Sequence, residues 1–134
     1  MTHLLDTHAW IQRALGEPLP LLVEQTLSRH AETLAIADIS LWEAAKLVEL
    51  GRLQLSVPLA EFFRLAITNE LTVLPITPAI ADRVTALEAA GFHKDPADQL
   101  IVETALVHGL RLITDDTRIR QWGGVPLLWR TSRK

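Results

Sequence analysis

The run KDPADQLIVETALVHGLRLITDD, residues 94–116, decides the fold. Asp95 followed by Pro96 is a helix start: an acceptor side chain stands ahead of a residue that needs no amide partner. A strongly apolar helix is expected from Asp98 to His108, and Gly109 ends it. Arg111 to Thr114 then reads as a short β-strand that runs into Asp115 and Asp116. A helix that leads straight into a buried strand is the repeating unit of a parallel sheet, because parallel neighbours need crossover helices.

Outward from that unit the pattern repeats. Leu4 and Leu5 form an apolar strand that stops at Asp6, and a helix follows from Ala9 to Leu15 until Gly16 and Pro18 break it. A second helix fits Pro20 to His30, and Leu34 to Ala37 is a buried strand. Ser40 is the expected N-cap of an apolar-periodic helix ending at Gly51, and Pro58 opens another that reaches about Asn69. Leu71 to Leu74 is a strand closed by Pro75; Thr77 and Pro78 then start a helix extending to near Gly91. After Asp116 come a helical turn, Thr117 to Gln121, and a last strand fragment, Val125 to Leu128. The expected architecture is α/β, a three-layer sandwich whose central parallel sheet is flanked by helices. With no internal repeat and no linker, residues 1–134 are expected to form one domain.

Composition agrees with that size. Apolar residues make up 49% of the 134, and charged residues 22%, which excludes a disordered chain. Cysteine is absent, which removes disulfides and thiolate metal clusters. The opening MTHLLDTHAW lacks the basic start of a signal peptide, and no apolar run is long enough to cross a bilayer, so a cytoplasmic protein is expected. The net charge is −3, yet Arg118, Arg120, Arg130, Arg133 and Lys134 follow Asp116 with no acid among them, so the rest of the chain carries −8. A basic end on an acidic body suits a phosphate backbone held beside acidic groups, and it equally suits a solvated tail.

Ligands of open α/β sheets bind beyond the carboxyl ends of the strands. Asp6 ends the first strand and Asp116 follows the fourth; Glu43 and Asp98 lie in the first turns of two helices that start at the same edge. Each acid also has a structural reading. Ser40 to Glu43 matches a capping box, Asp95 is a good N-cap, Asp98 meets the positive end of a helix dipole, and Asp6 and Asp116 can satisfy loop amides. Together, four acids from distant segments repel one another and raise each other's pKa values, which calls for a cation among them. Oxygen ligands select a hard ion, Mg²⁺ or Mn²⁺, and such a site suits hydrolysis of a phosphodiester without a Ser, Cys or His nucleophile.

The sequence resembles the PIN-domain ribonucleases, and among them the VapC-type toxins of type II toxin–antitoxin pairs. Four stretches carry the resemblance, in the family's order: LLDTHAW around Asp6, SLWEAAKLVELGRL around Glu43, HKDPADQLIVETA around Asp98, and LITDDTRI with GGVPLLW around Asp116. The resemblance implies that Asp6, Glu43, Asp98 and Asp116 are the catalytic and metal-binding set. Asp95, Asp115 and Thr114 become auxiliary candidates. Gln99 and Glu103 depart from the family's usual Arg and small residue. It further implies a Mg²⁺- or Mn²⁺-dependent endoribonuclease acting on a structured RNA such as tRNA or rRNA, a homodimer, and a cognate antitoxin partner.

Arg118, Arg120 and Lys46 are candidate RNA contacts, with Lys46 also one turn from Glu43 and expected to pair with it. Trp10, Trp42, Trp122 and Trp129 can stack a base, although packing in a core or interface is the commoner fate of tryptophan. The helices holding Leu41–Leu50 and the Phe62-Phe63 pair are apolar enough to form a groove or dimer face, or an ordinary core. The five histidines, His8 and His93 among them, form no zinc spacing. Two other functions share some of these residues. A haloacid-dehalogenase-type phosphatase needs a second Asp where His8 stands, and a receiver domain needs an acidic pair ahead of the first strand's Asp. A catalytically inert PIN-like module that binds RNA or a partner is the alternative of another class.

Overall fold

A computed structural model describes residues 1–129; Arg130, Arg133 and Lys134 of the basic end lie outside the described residues. Five strands, β1 (His3–Leu5), β2 (Leu34–Ala37), β3 (Leu71–Leu74), β4 (Arg111–Ile113) and β5 (Leu127–Leu128), form one wholly parallel sheet in the order β3-β2-β1-β4-β5. Leu5 stands in register with Ile36 on one side and Ile113 on the other.

Alternation along the strands sorts side chains between two cores. Leu5, Ile36 and Ile113 face helices α1 (Thr7–Ala14), α2 (Leu21–Arg29), α3 (Ile39–Glu49) and α4 (Leu59–Ala66), burying Trp10, Leu27, Ala44 and Phe62. Leu4, Ala35 and Leu112 face the opposite way, against Ile101 and Val102 of α6 (Pro96–His108) and Ile119 of α7 (Thr117–Trp122), with α5 (Pro78–Val84) packed on α6. Because both faces are covered, strands such as LAIA read as unbroken apolar runs.

Several element ends differ from the sequence expectation. The first helix starts at Thr7, two residues early, because the Asp6 carboxylate accepts the Ala9 N–H at 2.8 Å. Ser40 caps nothing: Asp38 holds the cap position of α3, and the Ser40 hydroxyl is buried 2.8 Å from that of Thr7. The Ser40–Glu43 capping box therefore does not form. The helix from Thr77 stops at Val84 instead of near Gly91, where the Thr85 hydroxyl donates to the Asp82 carbonyl at 2.7 Å and the backbone continues in i→i+3 turns. Pro58 is the cap of α4, not its first residue, and the helix ends three residues short of Asn69.

The sheet order sets the site. From β1 the chain winds outward to β2 and β3, then returns to lay β4 on the other side of β1. The carboxyl ends of β1 and β4 therefore flank the point where the winding reverses, the crevice in which open α/β sheets bind ligands.

Candidate functional site

Asp6 follows β1 directly, and its N–H bonds the Ile113 carbonyl of β4 at 3.0 Å. One carboxylate oxygen caps α1; the other accepts the hydroxyl of Thr114, a fully buried residue just past β4. The same Thr114 oxygen accepts the Asp116 N–H at 3.0 Å, and Asp116 in turn caps α7 through the Ile119 N–H at 3.0 Å. Thr114 thus ties the ends of two neighbouring strands into one hydrogen-bonded unit. Burial pushes the Asp6 carboxyl above the ordinary aspartate value, the Thr114 and Ala9 bonds and His8 oppose that rise, and the Asp116 charge adds to it.

Asp98 is held differently. Its backbone N–H is fixed 3.0 Å from the Asp95 carboxylate that caps α6, but its side chain has no backbone donor. Burial, with the charges of Asp95, Asp116 and Glu43, raises it from 3.8 to about 7, against the pull of Arg118. The Arg118 guanidinium lies 3.4 Å from Asp98 and 4.0 Å from Asp116. On the other flank, Glu43 accepts the Thr7 hydroxyl, which is itself paired with Ser40. Burial raises Glu43 as well, opposed by Thr7 and reinforced by Asp95.

The structure brings Asp98 into two groups whose ligand atoms lie within 4.8 Å of one another: Asp98 with Glu43 and Asp95, and Asp98 with Asp116 and His93. Asp98 is the hinge between them. Asp6 stands outside both, with each of its oxygens already hydrogen-bonded. This donor set, carboxylates with one imidazole, suits a hard divalent cation and is too poor in nitrogen and sulfur for zinc or copper.

Other candidates fall as follows. Asp95 caps α6 and lies in the first group. Asp115 is exposed and pairs with Arg120 at 3.5 Å, so Arg120 leans on an acid at the rim of the site. Lys46 does not reach Glu43: it pairs with Glu49 at 2.7 Å and lies 5.7 Å from the Trp42 ring centroid. Gln99 donates to the His93 carbonyl at 3.0 Å, and Glu103 is buried against Arg83 at 2.8 Å. Trp10 and Trp129 are buried, and Trp122 donates to the Ala90 carbonyl at 2.9 Å. Trp42, beside Glu43, is 55% exposed, so it is not core.

Two contributors escaped sequence reasoning. Thr7 reaches Glu43 across 36 residues, and no local signal marks it. His93 stacks on Phe92, accepts the Asp95 N–H on Nδ1 at 3.3 Å, and places Nε2 3.3 Å from Asp98 without the alignment of a hydrogen bond. The sequence weighed His93 only as a zinc ligand; its nearness to Asp98 depends on how the segment before Asp95 folds back.

Among the described residues no helix is long and apolar enough to cross a membrane. The PIN domain family matches residues 3–125. Over 120 residues the chain is 39% identical to Ribonuclease VapC22 of Mycobacterium tuberculosis, covering 89% of this chain and 90% of that one. Solved structures share the fold. The VapBC2 of Rickettsia felis bound to a DNA fragment from their promoter matches with a TM-score of 0.71 at 18% identity, over 97% of this chain and 100% of that one. FitAcB from Neisseria gonorrhoeae matches with a TM-score of 0.69 at 24% identity, over 94% and 96% of the two chains. With acids at the sheet's switch point and a family match running from β1 almost to β5, this chain belongs to the PIN-domain family.

Proposed function

We propose that the chain is a metal-dependent endoribonuclease and the toxin of a type II toxin–antitoxin pair. The observation that carries this reading is the meeting of Glu43, Asp95, Asp98 and Asp116 at the switch point, where burial first and then the neighbouring charges raise the Asp98 carboxyl to about 7. Such crowding is costly unless positive charge joins it. The relative named Ribonuclease VapC22 supports RNA as the substrate, and the toxin–antitoxin complexes among the fold's neighbours support an antitoxin partner. A homodimer belongs to the same reading; Leu21, Leu50 and Leu65 are exposed apolar residues available for protein contacts.

Asp98, with Glu43 and Asp95 on one flank and Asp116 on the other, would hold Mg²⁺ or Mn²⁺, and Asp6 is the fourth acid of the proposed set. When bound, the ion supplies charge for a phosphoryl transition state and lowers the pKa of the attacking water. The chain's own residues do the positioning. Thr114 fixes Asp6 and the start of α7, Thr7 orients Glu43, and the exposed Arg118 guanidinium, beside Asp98 and Asp116, takes a non-bridging phosphate oxygen.

Incubation of the purified protein with total RNA tests this. Strand scission is expected with Mg²⁺ or Mn²⁺, is stopped by EDTA, and is lost in folded Asp98→Asn and Asp6→Asn. Scission without metal, or full activity in those variants, overturns the mechanism. RNA binding without scission under any metal would make the chain an inert PIN-like module, and release of phosphate from monoesters alone would make it a phosphatase.

A further inference from the structure

A cavity of about 590 Å³ opens directly beside the acids, and Glu43 and Asp95 belong to both. Its other walls are largely apolar: Trp42 and Ile39 from α3, Ile76 after β3, and Pro96 at the start of α6. Trp42 is the most exposed aromatic of the described site, although an indole is among the side chains that gain most from burial. Lys46, paired with Glu49 at 2.7 Å, lies 5.7 Å from the ring centroid.

Asp38 is also in the wall; its Oδ2 accepts the Ile76 N–H at 3.1 Å, which ties the segment after β3 to the start of α3.

On the nuclease reading above, on which this inference rests, the scissile phosphate sits at the acids, and the neighbouring base must go to one side of them. We propose that this cavity is a nucleobase subsite, in which Trp42 stacks the base next to the scissile phosphate. An exposed aromatic face beside a phosphate-binding centre is the recognition pattern of an unstacked base, and it accepts every base because each has a π-face.

The test separates the subsite from the nuclease activity. Binding is measured with the Asp98→Asn protein and short single-stranded RNAs that carry guanine, inosine, uracil or an abasic site at one position. Cleavage is measured with the unmodified protein on the same RNAs, with ends mapped. The RNAs with a base at that position are expected to bind about 10-fold or more tightly than the abasic RNA. Trp42→Ala is expected to remove that difference and to raise KM by about 10-fold, with Trp42→Phe recovering most of it. Equal affinity for the base-bearing and abasic RNAs overturns the proposal, as does a Trp42→Ala protein whose only defect is in dimerisation or in binding a protein partner. Should the unmodified protein cleave nothing, the nuclease reading fails while the binding series still decides the subsite.

Discussion

Asp6 and Asp98 are both aspartates at the carboxyl edge of one sheet, and they are held in opposite ways. Asp6 is buried with both oxygens hydrogen-bonded, one to a backbone amide and one to Thr114. Asp98 has no backbone donor and faces Asp95, Asp116 and Glu43, with exposed Arg118 as a counter-charge. The first carboxylate is part of the framework; the second is a reservoir of unfavourable charge. Stability and activity should therefore separate between the two positions.

The largest expected effect is on turnover in Asp98→Asn, where RNA cleavage, read as initial rates, should fall about 10²–10³-fold, the usual scale for losing a group that stabilises transition-state charge. Next comes Asp6→Ala, which removes a helix cap and strands the Thr114 hydroxyl; urea unfolding should show a loss of about 2–3 kcal/mol. Asp6→Asn should recover most of that loss without restoring activity. Thr114→Val, which keeps the shape and deletes the link between Asp6 and Asp116, should cost about 1–2 kcal/mol in the same assay.

The comparison sharpens with pH. The folded chain keeps the Asp98 proton up to about 7, whereas the unfolded chain releases it near the ordinary aspartate value of 3.8. The stabilisation from that proton is complete below 3.8 and is lost as pH rises through about 7. Metal-free Asp98→Asn should therefore gain on the parent as pH rises from about 4 to about 7, and hold that gain above it. A shift of this size corresponds to about 4 kcal/mol, which solvent screening around a partly exposed group reduces to about 1–2 kcal/mol at pH 8 by thermal melts. Added Mn²⁺ should close the gap by stabilising the parent alone. The smallest effect belongs to Arg118→Ala, which should weaken cleavage by about 3–10-fold and show mainly in KM, since an exposed guanidinium at a rim contributes modestly.

Much of this arrangement was legible in the residues. Strands β1 to β4 lie where short apolar runs meet an acid or a proline, and Asp95-Pro96 with Gly109 marks both ends of α6. Asp6 and Asp116 were readable as acids at strand ends, and they prove to be the caps of the helices that follow. What was hidden depends on contacts between distant segments. Ser40 has the local signature of a cap, but its hydroxyl is drawn to Thr7 across 33 residues. Lys46 has two acids within reach along its helix and takes Glu49. Trp42 sits on an apolar-periodic stretch that favours burial, yet the neighbouring elements leave it at the mouth of a cavity. No periodicity encodes which apolar position a fold leaves uncovered.

The start of α6 is secured by Asp95 and Pro96, with Asp98 lending only its backbone amide. A lineage drifting away from toxicity can therefore exchange residue 98 and come out sturdier, whereas exchanging residue 6 for an aliphatic side chain unpicks a strand–helix corner. Harmless descendants of this chain are expected to change at 98 first and to retain Asp, Asn or Ser at 6, so that silence arrives through the residue the scaffold never needed.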